Sequence, residues 1–284
     1  MLQKAIICFI SYKLLFFQSA IAQFSLPFGG AYDEDARLHL GFFFNYTPSY
    51  YSLTLKSGFS SYDPVFDNSS ALSGKHLSRV ISVPSYTGMG FGIPVDFKFN
   101  DRVDFVLRPT YNMLAGQYLE YHFVDGQGNE VVVPRFHRDL LESSIGTVNR
   151  EYNYFSFDMP LLVKYKSKEK SLKDNRYRAY VIAGMRYTNN LGARKYNSQL
   201  AVEFENQPER MPLVIKPEIF SYEVGLGFDI YFEYFKMSPE IRWSQSIGNV
   251  LDRSEAVMAQ GHNPYTSVID KLLLRNINIS ISFQ

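Results

Sequence analysis

Alternation with a period of two, not of three to four, organises this chain. Leu38, Leu40, Phe42, Phe44 and Tyr46 share one parity, with His39, Gly41, Phe43 and Asn45 on the other. Phe91, Ile93, Val95, Phe97 and Phe99 oppose Gly90, Gly92, Asp96 and Lys98, and Val103, Phe105 and Leu107 oppose Asp104 and Arg108. Phe155, Met159, Leu161 and Val163 oppose Ser156, Asp158 and Lys164; Val181, Ala183 and Met185 oppose Tyr180, Gly184 and Arg186. Three further runs follow, with Val224, Leu226 and Phe228 against Glu223, Gly225, Gly227 and Asp229. Met237, Ile241 and Trp243 oppose Lys236, Glu240 and Arg242, and Ile277, Ile279 and Ile281 oppose Asn278, Ser280 and Ser282. The pattern predicts eight strands, several long enough to cross a bilayer at a tilt.

The spacing between them is equally informative. Short connections at 100–101, 166–176 and 233–235 alternate strictly with long ones at 47–86, 112–152, 188–217 and 244–274. Short periplasmic turns and longer extracellular loops are the layout of an outer-membrane barrel. The fold expected is all-β: an eight-stranded antiparallel transmembrane barrel, with both termini periplasmic because the strand count is even. Within one long connection, Tyr118, Leu119, Glu120, Tyr121, His122 and Phe123 precede Asp125-Gly126-Gln127-Gly128-Asn129 and then Glu130-Val131-Val132-Val133. Two β-prone runs around turn residues predict a hairpin that extends the wall above the membrane.

Composition narrows the class. Among 284 residues, 24 Phe and 21 Tyr accompany a slightly negative mean hydropathy of −0.17, and after the N-terminus no apolar run reaches about 18 residues, which excludes a helical membrane protein. With 29 Lys and Arg against 28 Asp and Glu, nothing favours a nucleic-acid partner. The first 22 residues differ from the rest: Lys4, an apolar stretch over 5–12 and 14–17, and Ala20-Ile21-Ala22 before Gln23 read as a cleaved signal peptide, leaving 23–284 as the barrel domain. Cleavage removes Lys4, Lys13 and Cys8, so the mature chain carries no thiol for a disulfide or a lipid anchor.

The polar parity is too rich in glycine to coat a soluble surface, and its charges balance. Asp96, Lys98, Asp104, Arg108, Asp158, Lys164, Arg186, Glu223, Asp229, Glu240 and Arg242, with Lys236, are expected to form a charge network across a narrow lumen. Eight strands make a barrel that side chains just fill, so passive conduction is not expected. The five histidines lack metal-ligand spacing; His39 is expected inside the lumen and His76, His122, His137 and His262 in loops. His137, Asp139 and Ser143 sit together in sequence, and with His122 they are the residues a lipid-modifying enzyme at the rim would need. Gly88-Met89-Gly90-Phe91-Gly92 is followed by a strand rather than a helix, so it does not read as a phosphate loop. No catalytic residue, cofactor, metal or small-molecule substrate is expected.

Several segments look familiar once the strands are laid out. Met159-Pro160-Leu161-Leu162-Val163-Lys164-Tyr165-Lys166-Ser167 and Arg178-Ala179-Tyr180-Val181-Ile182-Ala183-Gly184 resemble successive strands of PorT-like proteins. So do Tyr222-Glu223-Val224-Gly225-Leu226-Gly227-Phe228-Asp229, Tyr234-Phe235-Lys236-Met237-Ser238-Pro239-Glu240-Ile241-Arg242 and Ser246-Ile247-Gly248-Asn249-Val250-Leu251. The resemblance covers 150–284 best. It implies the PorT (SprT) family of outer-membrane barrels in the type IX secretion system of Bacteroidota, which exports proteins bearing C-terminal sorting domains, including gliding adhesins. The partners implied are the lipid bilayer and other secretion-system proteins. A generic eight-stranded barrel serving adhesion or envelope integrity is the alternative.

Overall fold

The computed structural model describes residues 24–27, 30–59, 72–86, 88–136, 153–172, 175–191, 193–194, 197, 211–253 and 265–284. The signal-peptide segment 1–22, His137, Asp139, Ser143 and His262 lie outside them. After β1 (Phe24–Ser25), the first barrel stave comprises β2 (Leu38–Leu40), β3 (Phe42–Tyr46) and β4 (Ser49–Leu55). The second returns through β5 (His76–Val83), β6 (Met89–Gly92) and β7 (Val95–Lys98), and the third rises through β8 (Val103–Leu107), β9 (Thr110–Ala115) and β10 (Tyr118–Val124). β11 (Glu130–Phe136) and β12 (Asn153–Lys166) make the fourth. After β13 (Lys170–Leu172), the last four staves are β14 (Asn175–Asn190), β15 (Glu218–Tyr231), β16 (Lys236–Ser246) and β17 (Ile269–Phe283).

Each stave pairs antiparallel with the next, and β17 returns to pair with β3 and β4. The ladder therefore closes into an eight-stranded barrel. Prolines segment the staves rather than stop them: Ile93 N–H donates to Pro109 O, and Arg108 N–H to Pro160 O, each at 3.2 Å. β1 adds a parallel pair beside β2, and β13 pairs with the start of β14. The turn expected over 166–176 is shorter at both ends, because β12 runs through Lys166 and β14 begins at Asn175.

The two faces obey the predicted parity through the lower barrel. Phe44, Phe91, Phe105, Leu161, Val181, Leu226, Ile241 and Ile281 all point outward and are exposed. On β12 the outward row from Phe155 to Tyr165 spans ten residue steps. At about 3.3 Å per residue and a tilt of about 40°, that gives an apolar band about 25 Å tall, the height a bilayer demands.

Above the band the polarity inverts. Tyr51, Leu77, Leu119, Tyr121, Phe123, Leu213, Leu251, Tyr265, Ile269 and Leu272 pack inward into a continuous apolar core. The predicted hairpin is there: β10 pairs with β11 from Tyr118–Phe136 to Val124–Glu130, and β5 joins on the other edge of β10. Asp125 pins its turn, accepting backbone N–H groups of Gln127 and Asn129, each at 2.9 Å, and the Asn129 amide at 3.0 Å. The Asn129 side-chain and backbone bonds, aided by Lys75, hold the Asp125 carboxyl well below the usual carboxylate range. The long connections are shorter than the sequence suggests, because the staves continue beyond the bilayer.

Candidate functional site

The feature built with most care is the lumen. Ten of the eleven predicted lumen residues are buried: Asp96, Asp104, Arg108, Asp158, Lys164, Arg186, Glu223, Asp229, Glu240 and Arg242. They come from six staves and meet in three tiers. At the short-turn end, Lys164 Nζ donates to Asp229 Oδ1 at 2.8 Å and lies 3.6 Å from Asp96, which Lys236 approaches to 3.5 Å. Lys166 pairs with Asp104 at 2.8 Å. Lys166 lies beyond the predicted strand end; extending the inward parity from Leu162 and Lys164 by one more step would have found it.

The middle tier centres on Glu240. Its carboxylate accepts from Arg108 and from the Tyr180 hydroxyl at 2.8 Å, and forms an ion pair with Arg242, whose Nε lies 2.7 Å away. Arg242 also reaches Glu223 at 3.3 Å. Glycine makes this crossing possible. A Cβ at Gly227 would stand 2.5 Å from the Tyr180 hydroxyl, and one at Gly225 2.5 Å from Arg242 Cγ. Only hydrogen at those positions leaves room for a side chain to lie flat across the bore.

In the upper tier Arg186 pairs with Asp158 at 3.3 Å and bonds Ser244, while Asn112 donates to Asp158 at 2.9 Å. Asn45, Thr47 and Asn278 link across the remaining width, Thr47 Oγ1 donating to Asn278 Oδ1 at 2.9 Å. Buried charges are retained only where partners and hydrogen bonds offset their desolvation. Three stacked tiers of that kind fill the bore with side chains.

Lys98 departs from the expectation. It stays on the inward parity but sits at the mouth, pairing with Asp35 at 3.0 Å and Asp101 at 3.6 Å. β7 ends there, so the ammonium reaches the rim and not the bore. The segment before β2 closes that mouth. Tyr32 stacks on His39 at 5.4 Å, and Glu34 takes Arg178 at 2.8 Å and Arg176 at 3.0 Å. Burial and the nearby Asp229 carboxylate hold the Tyr32 hydroxyl far above the ordinary tyrosine range. His39 is buried, with Nε2 3.0 Å from Asp33 O.

At the other end, the apolar core stands on the bore. Tyr121 donates its hydroxyl to Tyr265 O at 3.0 Å, their rings meet edge to face at 5.0 Å, and Arg135 stacks over Tyr265 at 4.2 Å. Sequence reasoning missed this cap. On the outer face of the same sheet, His122 Nδ1 lies 2.7 Å from Glu130 and Nε2 3.7 Å from Glu120, with Arg79 alongside. No group of three or more His, Cys, Asp or Glu side chains suited to a metal occurs among the described residues.

No family model matches the chain, and no curated protein does. Solved structures similar to it include two outer-membrane proteins. The outer membrane protein OprG from Pseudomonas aeruginosa is 8% identical, with 86% of this chain and 95% of that one covered, at a TM-score of 0.32. Ail, the attachment invasion locus protein of Yersinia pestis, is 8% identical, with 86% and 96% covered, at 0.31. The barrel itself is established by its own closed ladder and its two-sided polarity.

Proposed function

We propose that the chain works in an outer membrane as a non-enzymatic, non-conducting barrel, and that it belongs to the type IX secretion apparatus of Bacteroidota, where it acts by contacting other proteins. The observation that carries the non-conducting part is the lumen: three tiers of ion pairs between an aromatic mouth and an apolar cap. The outward apolar band supports the membrane setting, because a soluble barrel would present polar side chains there. What supports the secretion part is the resemblance of 150–284 to PorT-like strands. With the bore filled, contacts fall to the long-loop end, where β5, β10 and β11 present a rigid sheet, and to the short turns.

A clean deletion in the native host tests it, with proteins bearing C-terminal sorting domains quantified outside the cell. Periplasmic accumulation, reversed when the gene is supplied again, is the expected result. Normal export would refute the secretion role and leave a barrel serving adhesion or envelope integrity.

A further inference from the structure

The wall between the first and second staves parts near its long-loop end. β3 and β6 pair up to Tyr46 and Met89, and Thr47 N–H still donates to Gly88 O at 2.8 Å. Beyond that, the described ladder is reduced to one bridge between Ser49 and Ser85. Tyr51 N–H donates to the Ser82 hydroxyl at 3.0 Å instead of to a carbonyl. β4 follows β17, while β5 leaves with β10. Pro48 and Pro84 stand at the parting, and neither has an N–H to continue a ladder.

The parting leaves a notch of about 370 Å³ lined by Pro48, Tyr50, Ser82, Pro84, Tyr86 and Ile277. It opens outward at Tyr50, Ile277 and the exposed Tyr86, and its floor reaches in to the buried Ser49 and Tyr51. At its upper rim, four outward side chains form a row in register across β15, β16, β17 and β4: Tyr222, Gln245, Arg275 and Tyr50. The row is hydrogen-bonded, with Gln245 donating to Tyr222 at 2.9 Å and Arg275 Nε donating to Gln245 at 2.7 Å. Among the described residues no carboxylate pairs with Arg275, and its register partner on β4, Tyr50, lines the notch. The next row down, Val224, Trp243 and Ile277, is apolar. Arg275 therefore stands at the level where hydrocarbon gives way to head groups, beside an indented wall.

We propose that the notch holds one acyl chain of a phosphate-bearing membrane lipid whose phosphate sits on the Arg275 guanidinium. A planar guanidinium anchored through Nε presents its two terminal nitrogens as a fork for phosphate oxygens. The apolar lining offers the chain a bed that flat wall does not. The inference rests on the membrane-spanning reading of the barrel.

The test uses the full chain in mild detergent, with heat-dependent gel mobility as the check that it is folded. Native mass spectrometry then follows retention of added phosphatidylglycerol and of diacylglycerol, which has the same chains and no phosphate. We expect a one-to-one phosphatidylglycerol adduct that Arg275→Gln weakens about tenfold, the loss of one charge-assisted pair, with diacylglycerol unaffected. Ser82→Phe, which fills the notch, should reduce both. Arg275→Gln carries the test alone if Ser82→Phe does not fold. A folded barrel that retains no lipid, or an adduct unchanged by Arg275→Gln, overturns the site and leaves the notch to a protein side chain. A chain that shows no folded form in detergent overturns the membrane reading itself, and the site with it.

Discussion

Glu240→Ala should cost the barrel about 3–5 kcal/mol of stability, the usual consequence of removing one partner from a buried ion pair. Glu240 is the carboxylate on which Arg108, Arg242 and Tyr180 converge, and both guanidinium groups are nearly inaccessible, at 0% and 3% exposure. Without it, Arg108 keeps no carboxylate of the described residues within salt-bridge distance, and Arg242 keeps Glu223. The measurement is a urea titration of the barrel in lipid vesicles, read by the gel mobility of the unheated sample. Glu240→Gln keeps an acceptor for Tyr180 but not the charge, and should fall between wild type and alanine. The double replacement Arg108→Met with Glu240→Leu should recover much of the loss, since it removes charge and counter-charge together. An alanine variant within about 0.5 kcal/mol of wild type, the range of an ordinary surface change, would mean that the bore is hydrated and the pairs are solvent-screened.

Leu161→Arg is the second large effect expected. Leu161 lies midway along β12, 62% exposed, among Met159, Val163 and Met185 on the outward face. If that face meets hydrocarbon, an arginine there costs about 2–4 kcal/mol in the same titration, with the penalty falling towards either interface. If it meets water, the change should be near neutral. Tyr165→Arg at the short-turn rim of the same row is the depth control and should cost clearly less.

The contrast between the two faces explains how far the sequence could be read. In the bilayer the outward parity is apolar and the inward parity charged, so Phe42, Phe44 and Tyr46 announced a strand and its orientation. Above the bilayer the inward side turns apolar. On the first stave the apolar set passes from Leu38–Tyr46 on even numbers to Tyr51, Leu53 and Leu55 on odd ones; on β17 it passes from Leu272 and Leu274 to Ile277, Ile279 and Ile281. A pattern that changes parity looks like the end of a strand, and so 47–55 and 269–274 read as loop. The ladder between β4 and β17 continues there; only its solvent changed. The apolar cap was hidden for the same reason, since Leu213, Leu251 and Tyr265 join it from segments without any alternation of their own. The lumen charges were legible because parity alone places them, while their partners were not. That Glu240 gathers two arginines depends on stave register and on the space that Gly225 and Gly227 leave, neither of which spacing along the chain reveals.

The account turns on a barrel that crosses the membrane and is closed. Its most direct test is the conductance of planar bilayers into which the purified, folded chain has been inserted, with insertion verified by heat-dependent mobility of the protein recovered from the membrane. The filled bore predicts that current stays at the baseline of the bare bilayer across the voltage range. Steady, ohmic open steps from the wild-type chain would contradict it, and would place a water-filled path where the ion-pair tiers now stand.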